Sequence, residues 1–186
     1  MREVVSRVHA DISYQIQDGL RRNELFTRSP IAVRFIDATP ERSVAFTVIP
    51  KNEKEVFLSQ LIGDDTDKVL TVMMNDTVAI GDLHIVVTST HFYKEAWLGK
   101  SIQVQKRPLD AVTAYYQAAL GIRQEESEAS ILTLSLKDNS SVRAEDVLNM
   151  LITVYNEEAI RDKNQVAVNT AEFINERLII HWRGTG

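Results

Sequence analysis

The residues best suited to bind a metal or move a proton near neutral pH are His9, His84, His91 and His181, and none of them falls in H-E-x-x-H or another compact ligand spacing. His84 and His91 read as strand or loop histidines with no ligand role. Asp64, Asp65 and Asp67 gather three carboxylates in "GDDTD", but the downstream glycine and distal glutamate of a calcium loop are missing, so this is read as a solvated loop. None of the seven glycines builds a G-x-x-x-x-G-K-[ST] phosphate cradle. With no cysteine, a disulfide framework, a thiolate zinc site and a cysteine nucleophile are excluded by count. The carboxylates that glycoside hydrolysis would need fall mostly on polar faces, so no hydrolase or lyase is assigned. The segment is therefore read as non-enzymatic and without a cofactor or metal of its own.

What remains is chemistry of contact. Arg21, Arg22 and Arg28 lie in "DGLRRNELFTR", and Lys106 and Arg107 lie in "VQKR", two small basic groups in an acidic chain. They suit solvent, a neighbouring carboxylate or, as a functional reading, an anionic glycan or an adjacent subunit. Trp97, in the loop-like "YKEAWLGK", offers a ring face that a sugar could stack on. Of Tyr115 and Tyr116, at least one is expected to pack against a sheet. The sequons at Asn75 and Asn139 are chance occurrences if the source is bacterial.

The elements that must position these groups are those of an ordinary globular chain, 44% apolar and 25% charged. A formal charge of −5 and a pI near 5.4 give no broad cationic field for nucleic acid. No stretch approaches the roughly 20 apolar residues of a membrane span. Val4, Val5 and Val8 recur at helical spacing, and Ile12, Tyr14 and Ile16 alternate as in a strand. Gly19 marks a turn and Ser29-Pro30 introduces the strand "IAVRFID", with "RSVAFTVIP" read as its partner. Residues 51–100 give short strands and loops, including "DKVLTVMM" and "DLHIVVTST". "SIQVQ" alternates as a strand, and "PLDAVTAYYQAAL" is a helix between Pro108 and a stop at Gly121. "SILTLSL" is expected to be a central strand. In "KDNSS", Asn139, Ser140 and Ser141 are candidate N-caps for a helix over the C-terminal residues.

Residues 141–180 contain neither proline nor glycine. Val147, Leu148, Leu151, Ile152, Tyr155 and Ala159 recur at three and four, and Val166, Thr170, Ile174 and Leu178 resume the pattern after "RDKNQ". Leu151 and Tyr155 are expected to pack on the sheet. Such a helix would be about 58 Å long at 1.5 Å per residue, whereas a domain of this size has a radius of gyration of about 16 Å. It is expected to protrude, with its outer stripe needing another surface. The expected class is therefore α+β: a mixed sheet with short helices over 1–140, a long protruding C-terminal helix over 141–180, and a terminal 181–186 that departs from the pattern.

The order of short helix, strands, "ILTLSL" and a long helix carrying "VLNMLITVYNEEAIRDKNQVAVNTAEFINERL" resembles the extracytoplasmic domain of bacterial polysaccharide chain-length determinants, the polysaccharide co-polymerases. It is most similar to the subgroup joined to a cytoplasmic tyrosine autokinase of capsular and exopolysaccharide loci, in which a segment like "DGLRRNELFTRSPIAV" follows the first membrane span. The resemblance covers nearly the whole chain, is strongest from Ser130 to Leu178 and is weak from about residue 51 to 95. At the end, "HWRGTG" stands where that family's helix would continue.

The resemblance implies a periplasmic scaffold beside the inner membrane, flanked by two spans in the parent protein and packed with further copies into a ring. Its expected partners are the growing polysaccharide, the polymerase and the outer-membrane export channel. ATP and magnesium are expected only for the absent kinase domain. The polar helix strips Asn156–Gln165 and Asn169–Arg177, with Arg161, Lys163, Asn169, Glu172 and Glu176, are the expected assembly surfaces. The alternatives in other classes are a soluble glycan-processing enzyme and a ligand-binding sensory domain.

Overall fold

In a computed structural model, the described residues are 1–59, 69–124 and 131–183, with side chains as far as residue 175. Strand alternation organises most of the chain. A six-stranded sheet runs in the order β2 (Arg21–Glu24), β1 (Ile12–Asp18), β9 (Ile102–Lys106), β4 (Val44–Pro50), β5 (Glu55–Ser59), β6 (Leu70–Met73). A three-stranded sheet runs β3 (Ile31–Phe35), β8 (Leu83–Ser89), β7 (Thr77–Ile80), and β10 (Leu120–Gln124) with β11 (Leu132–Leu136) forms a separate ribbon. The class is α+β, and each pairing among the described strands is antiparallel rather than mixed.

The larger two sheets share one core because their apolar residues repeat at every second position. Phe46 and Val48 on β4, Val56 and Leu58 on β5, and Ile102 and Val104 on β9 join Ile31 and Val33 on β3 and Ile85 and Val87 on β8 in one buried cluster. The rings of Phe35 and Phe46 meet edge to face at 6.4 Å. Each such Val, Ile or Phe contributes about 1.5–3 kcal/mol by leaving water. Tyr14 adds a polar tie, its hydroxyl accepting the Val33 backbone N–H at 2.8 Å, and burial pushes its phenol up to about 12.

Two strand expectations change. β4 pairs with β9 and β5, while β3 finds its partner in β8, so "RSVAFTVIP" is not the neighbour of "IAVRFID". β11 is not central, since it pairs only with β10 among the described strands. β10 occupies the residues expected to end the preceding helix: α2 (Leu109–Ala119) stops earlier, and Gly121 is a strand residue. Gly121 faces Ser135 so closely that a Cβ there would lie 2.5 Å from the Ser135 Oγ.

Ser140 caps the long C-terminal helix, whereas the two shorter helices start without a side-chain cap bond from their own N-cap residues. α1 (Arg2–Arg7) buries Val4 and Val5 and packs on α2. α3 (Ser141–Arg183) is 43 residues long and starts beyond Ser140, whose Oγ and C=O accept the N–H groups of Arg143 and Ala144. The chain divides into two compact units, Met1–Leu148 and Asn149–Gly186. In the second, Tyr155 is 69% exposed rather than packed on a sheet, and Leu151 is half-buried.

Candidate functional site

The densest polar chemistry lies in the first unit, where α3 begins. Arg143, on the first turn of α3, has a side chain only 6% exposed between the carboxylates of Asp138, at 1%, and Glu24, at 5%. Its Nη2 donates to Asp138 Oδ1 at 2.8 Å and its Nε is 3.2 Å from both Asp138 oxygens. Nη1 lies 3.1 Å from Glu24 Oε2 as an ion pair without hydrogen-bond alignment, which is why it also counts among the buried nitrogens lacking a hydrogen bond.

Each carboxylate is held in turn. The Tyr116 hydroxyl of α2 donates to Asp138 Oδ2 at 2.6 Å, and the Ser140 N–H donates to Oδ1 at 2.8 Å. Glu24 Oε1 accepts the Tyr14 N–H at 2.9 Å and the Phe26 N–H at 3.2 Å, while Oε2 accepts the Ser13 hydroxyl. Phe26, buried with φ at +45°, occupies a left-handed conformation that costs a bulky residue about 1–3 kcal/mol. That conformation accompanies the N–H bond to Glu24 and sets the ring 5.7 Å from the Arg143 guanidinium carbon.

Burial by itself would raise the Asp138 carboxyl, but the bonds from Arg143, Tyr116 and Ser140 outweigh it and hold it below the usual carboxylate range. Burial, reinforced by the bond to Asp138, pushes the Tyr116 phenol up, against the pull of Arg143 and Arg107. Arg143 stays charged: burial works against its cation, and the Asp138 bonds with the surrounding negative charge more than compensate. The cluster can lock β1, β2, α2 and the first turn of α3 together. Every carboxylate oxygen in it accepts a bond from within the cluster.

Sequence reasoning did not find this cluster. Its signal was a charged residue, Arg143, one helical step from the apolar stripe position Val147, both of which are buried.

The basic groups separate. Lys106 is a correction: its side chain is 6% exposed, and its Nζ bonds Asp11 Oδ2 at 3.1 Å and the Pro40 carbonyl at 3.0 Å, so it is unable to reach a glycan. Arg107 is half-buried, and its Nε is enclosed without a hydrogen-bond partner among the described residues. Arg21 and Arg22 are exposed on the edge strand β2, and Arg28 is exposed at the end of a 3₁₀ turn, Phe26–Arg28. Trp97 closes a second 3₁₀ turn, Glu95–Trp97, where it is half-buried against the core with Lys100 Nζ 5.2 Å from its ring centre. Of the tyrosine pair, Tyr116 is buried and Tyr115 exposed.

On α3, Arg161, Lys163, Asn169 and Glu172 are all exposed, and Asn169 accepts the Gln165 amide at 2.8 Å. The side chains of Glu176 and His181 and the whole Asp64–Asp67 carboxylate group lie outside the described residues. His84 bonds Asp37 through both its backbone N–H, at 2.8 Å, and Nδ1, at 2.6 Å. The backbone bond is the larger influence holding that carboxyl low. No group of three or more His, Asp or Glu among the described residues is arranged to hold a metal, and no described helix is long and apolar enough to cross a membrane. Compared with known proteins, the chain matches no family model, and no curated protein shows significant similarity to it.

Proposed function

We propose that this chain is the extracytoplasmic scaffold domain of a polysaccharide co-polymerase, which sets chain length during export of capsular polysaccharide or exopolysaccharide. The parent is proposed to be a membrane-anchored tyrosine autokinase. The observation that carries the reading is α3, a 43-residue helix. Its outer part exposes Ile152, Tyr155, Ile160, Val166, Phe173 and Ile174 and coincides with the segment that most resembles that family. Apolar side chains at that density on a helix surface favour a protein contact over solvent.

In this role the domain works by geometry and not by bond-making. Copies packed through their helices hold the growing glycan beside polymerase and channel, with Arg21, Arg22 and Arg28 as the exposed cations available to an anionic chain. Arg143 and its carboxylates give the long helix a fixed origin.

Reading the source gene on either side of the segment tests this directly. Two flanking spans of about 20 apolar residues, followed by a Walker-type loop, are expected. A gene encoding neither would remove the proposal. In a strain carrying the gene, replacing Ile152, Tyr155 and Phe173 by Asp should broaden or shift the polymer length distribution, and an unchanged distribution would argue against the scaffold role.

A further inference from the structure

The β10–β11 ribbon is built differently from the rest of the fold. A two-stranded ribbon is marginal in water by itself, and this one lies outside the buried core cluster. Leu120, Ile122, Leu132, Leu134 and Leu136 share one face by register, and Ile122 and Leu132 are 63% and 61% exposed. No residue of β11 is buried.

The sheet edges are also guarded unequally. β2 carries Arg21 and Arg22, and β3 carries Arg34, charges that discourage a second strand from adding there. β6 and β7 lack charge, but each is only four residues long and sends Val72 or Ile80 into the core. β11, "LTLSL", has no charge, no proline and no buried side chain, and among the described strands it is paired on one side only, with β10.

We propose that β11 is an interface between two copies of this chain, joined antiparallel about a two-fold axis at Leu134 into a four-stranded sheet, β10–β11–β11–β10. Charge and pattern select a second copy as the occupant. An uncharged strand meets itself without repulsion, and antiparallel pairing at Leu134 sets Leu132 opposite Leu136 and Thr133 opposite Ser135. The leucine faces of both ribbons then run continuously, and each gains the added strands that a lone ribbon lacks. The axis stands perpendicular to the sheet, so both copies face the same way along it. None of this depends on the polysaccharide reading.

The absence of cysteine makes the test clean. Sedimentation of the intact chain between about 1 µM and 1 mM should show a reversible species of twice 21.1 kDa. Leu134→Cys places one thiol from each copy at the axis, where opposed Cβ atoms about 4.5–5.5 Å apart come close to disulfide reach. Under mild oxidation it should cross-link about tenfold faster than Thr77→Cys on β7, another uncharged edge, because pairing raises the local thiol concentration. Leu134→Lys should leave a folded monomer. A monomer at every concentration with equal cross-linking rates would overturn the proposal. So would a dimer that links fastest through Thr77→Cys.

Discussion

At the scale of single residues, Arg143 is the side chain on which most depends. Removing one member of a buried ion-pair group leaves the others charged without water or partner, a loss of about 3–5 kcal/mol. Arg143→Ala should lower stability by that amount in urea titrations, and Arg143→Lys should recover only part of it, because an ammonium lacks the guanidinium fork that spans Asp138 and Glu24. A cost for Arg143→Ala below about 1 kcal/mol would mean that the cluster is solvated. The same cluster sets an acid limit. Asp138 is held below its ordinary value in the folded chain, so its contribution is present above the unfolded value of about 3.9 and disappears as pH falls through the folded one. Asp138→Asn should therefore be less stable than wild type at pH near 7, with the gap narrowing steadily below about pH 4. A gap that stays constant between the two conditions would show that the carboxylate charge is not what Arg143 needs.

At the scale of elements, α2 is capped from outside itself. Pro108 offers no side-chain cap, and the Asp110 N–H instead meets both Glu41 oxygens at 3.3 and 3.2 Å, while Arg2 of α1 bonds Asp110 at 2.7 Å. Glu41→Ala should cost about 0.5–2 kcal/mol, as loss of a helix cap does, and Glu41→Gln should cost less. Neither contact was legible in the sequence, since Glu41 and Asp110 are distant in the chain and the signals for α2 were Pro108 at its start and Gly121 as its stop. Elements with strong period-two alternation, β1, β4, β8 and β9, were readable because their apolar faces fill one core. β2 and β10 were not, since "RRNE" has no apolar face and "LGIRQ" offers only Leu120 and Ile122, neither of them in the buried core; both strands pair with a neighbour. The Ser140 cap was readable because it is local. The Arg143 cluster was not, because it joins residues from positions 13, 24, 116, 138 and 143 and exists only once the sheet has formed.

At the scale of the molecule, the two compact units differ in what they ask of their side chains. The first buries Phe46, Val48, Ile102 and Val104 to 3% exposure or less, whereas the second leaves Tyr155, Val166 and Phe173 at 69%, 65% and 55%. Long helices with little burial gain their stability chiefly from backbone bonds, which are individually weak and open from the ends. Amides beyond about residue 160 should therefore exchange with solvent orders of magnitude faster than those of β4 and β9. Truncation should separate the units in the same way. Phe46→Ala should cost about 3–5 kcal/mol, while Tyr155→Ala and Val166→Ala should stay within about 0.5 kcal/mol of the parent chain. Under the scaffold reading, the latter two would weaken association in the assembled protein without touching the fold of the isolated segment. If Tyr155→Ala instead lost more than about 1 kcal/mol in the isolated chain, that exposed ring would already have a partner within the chain, and the outer helix would be a structural prop and not a contact surface.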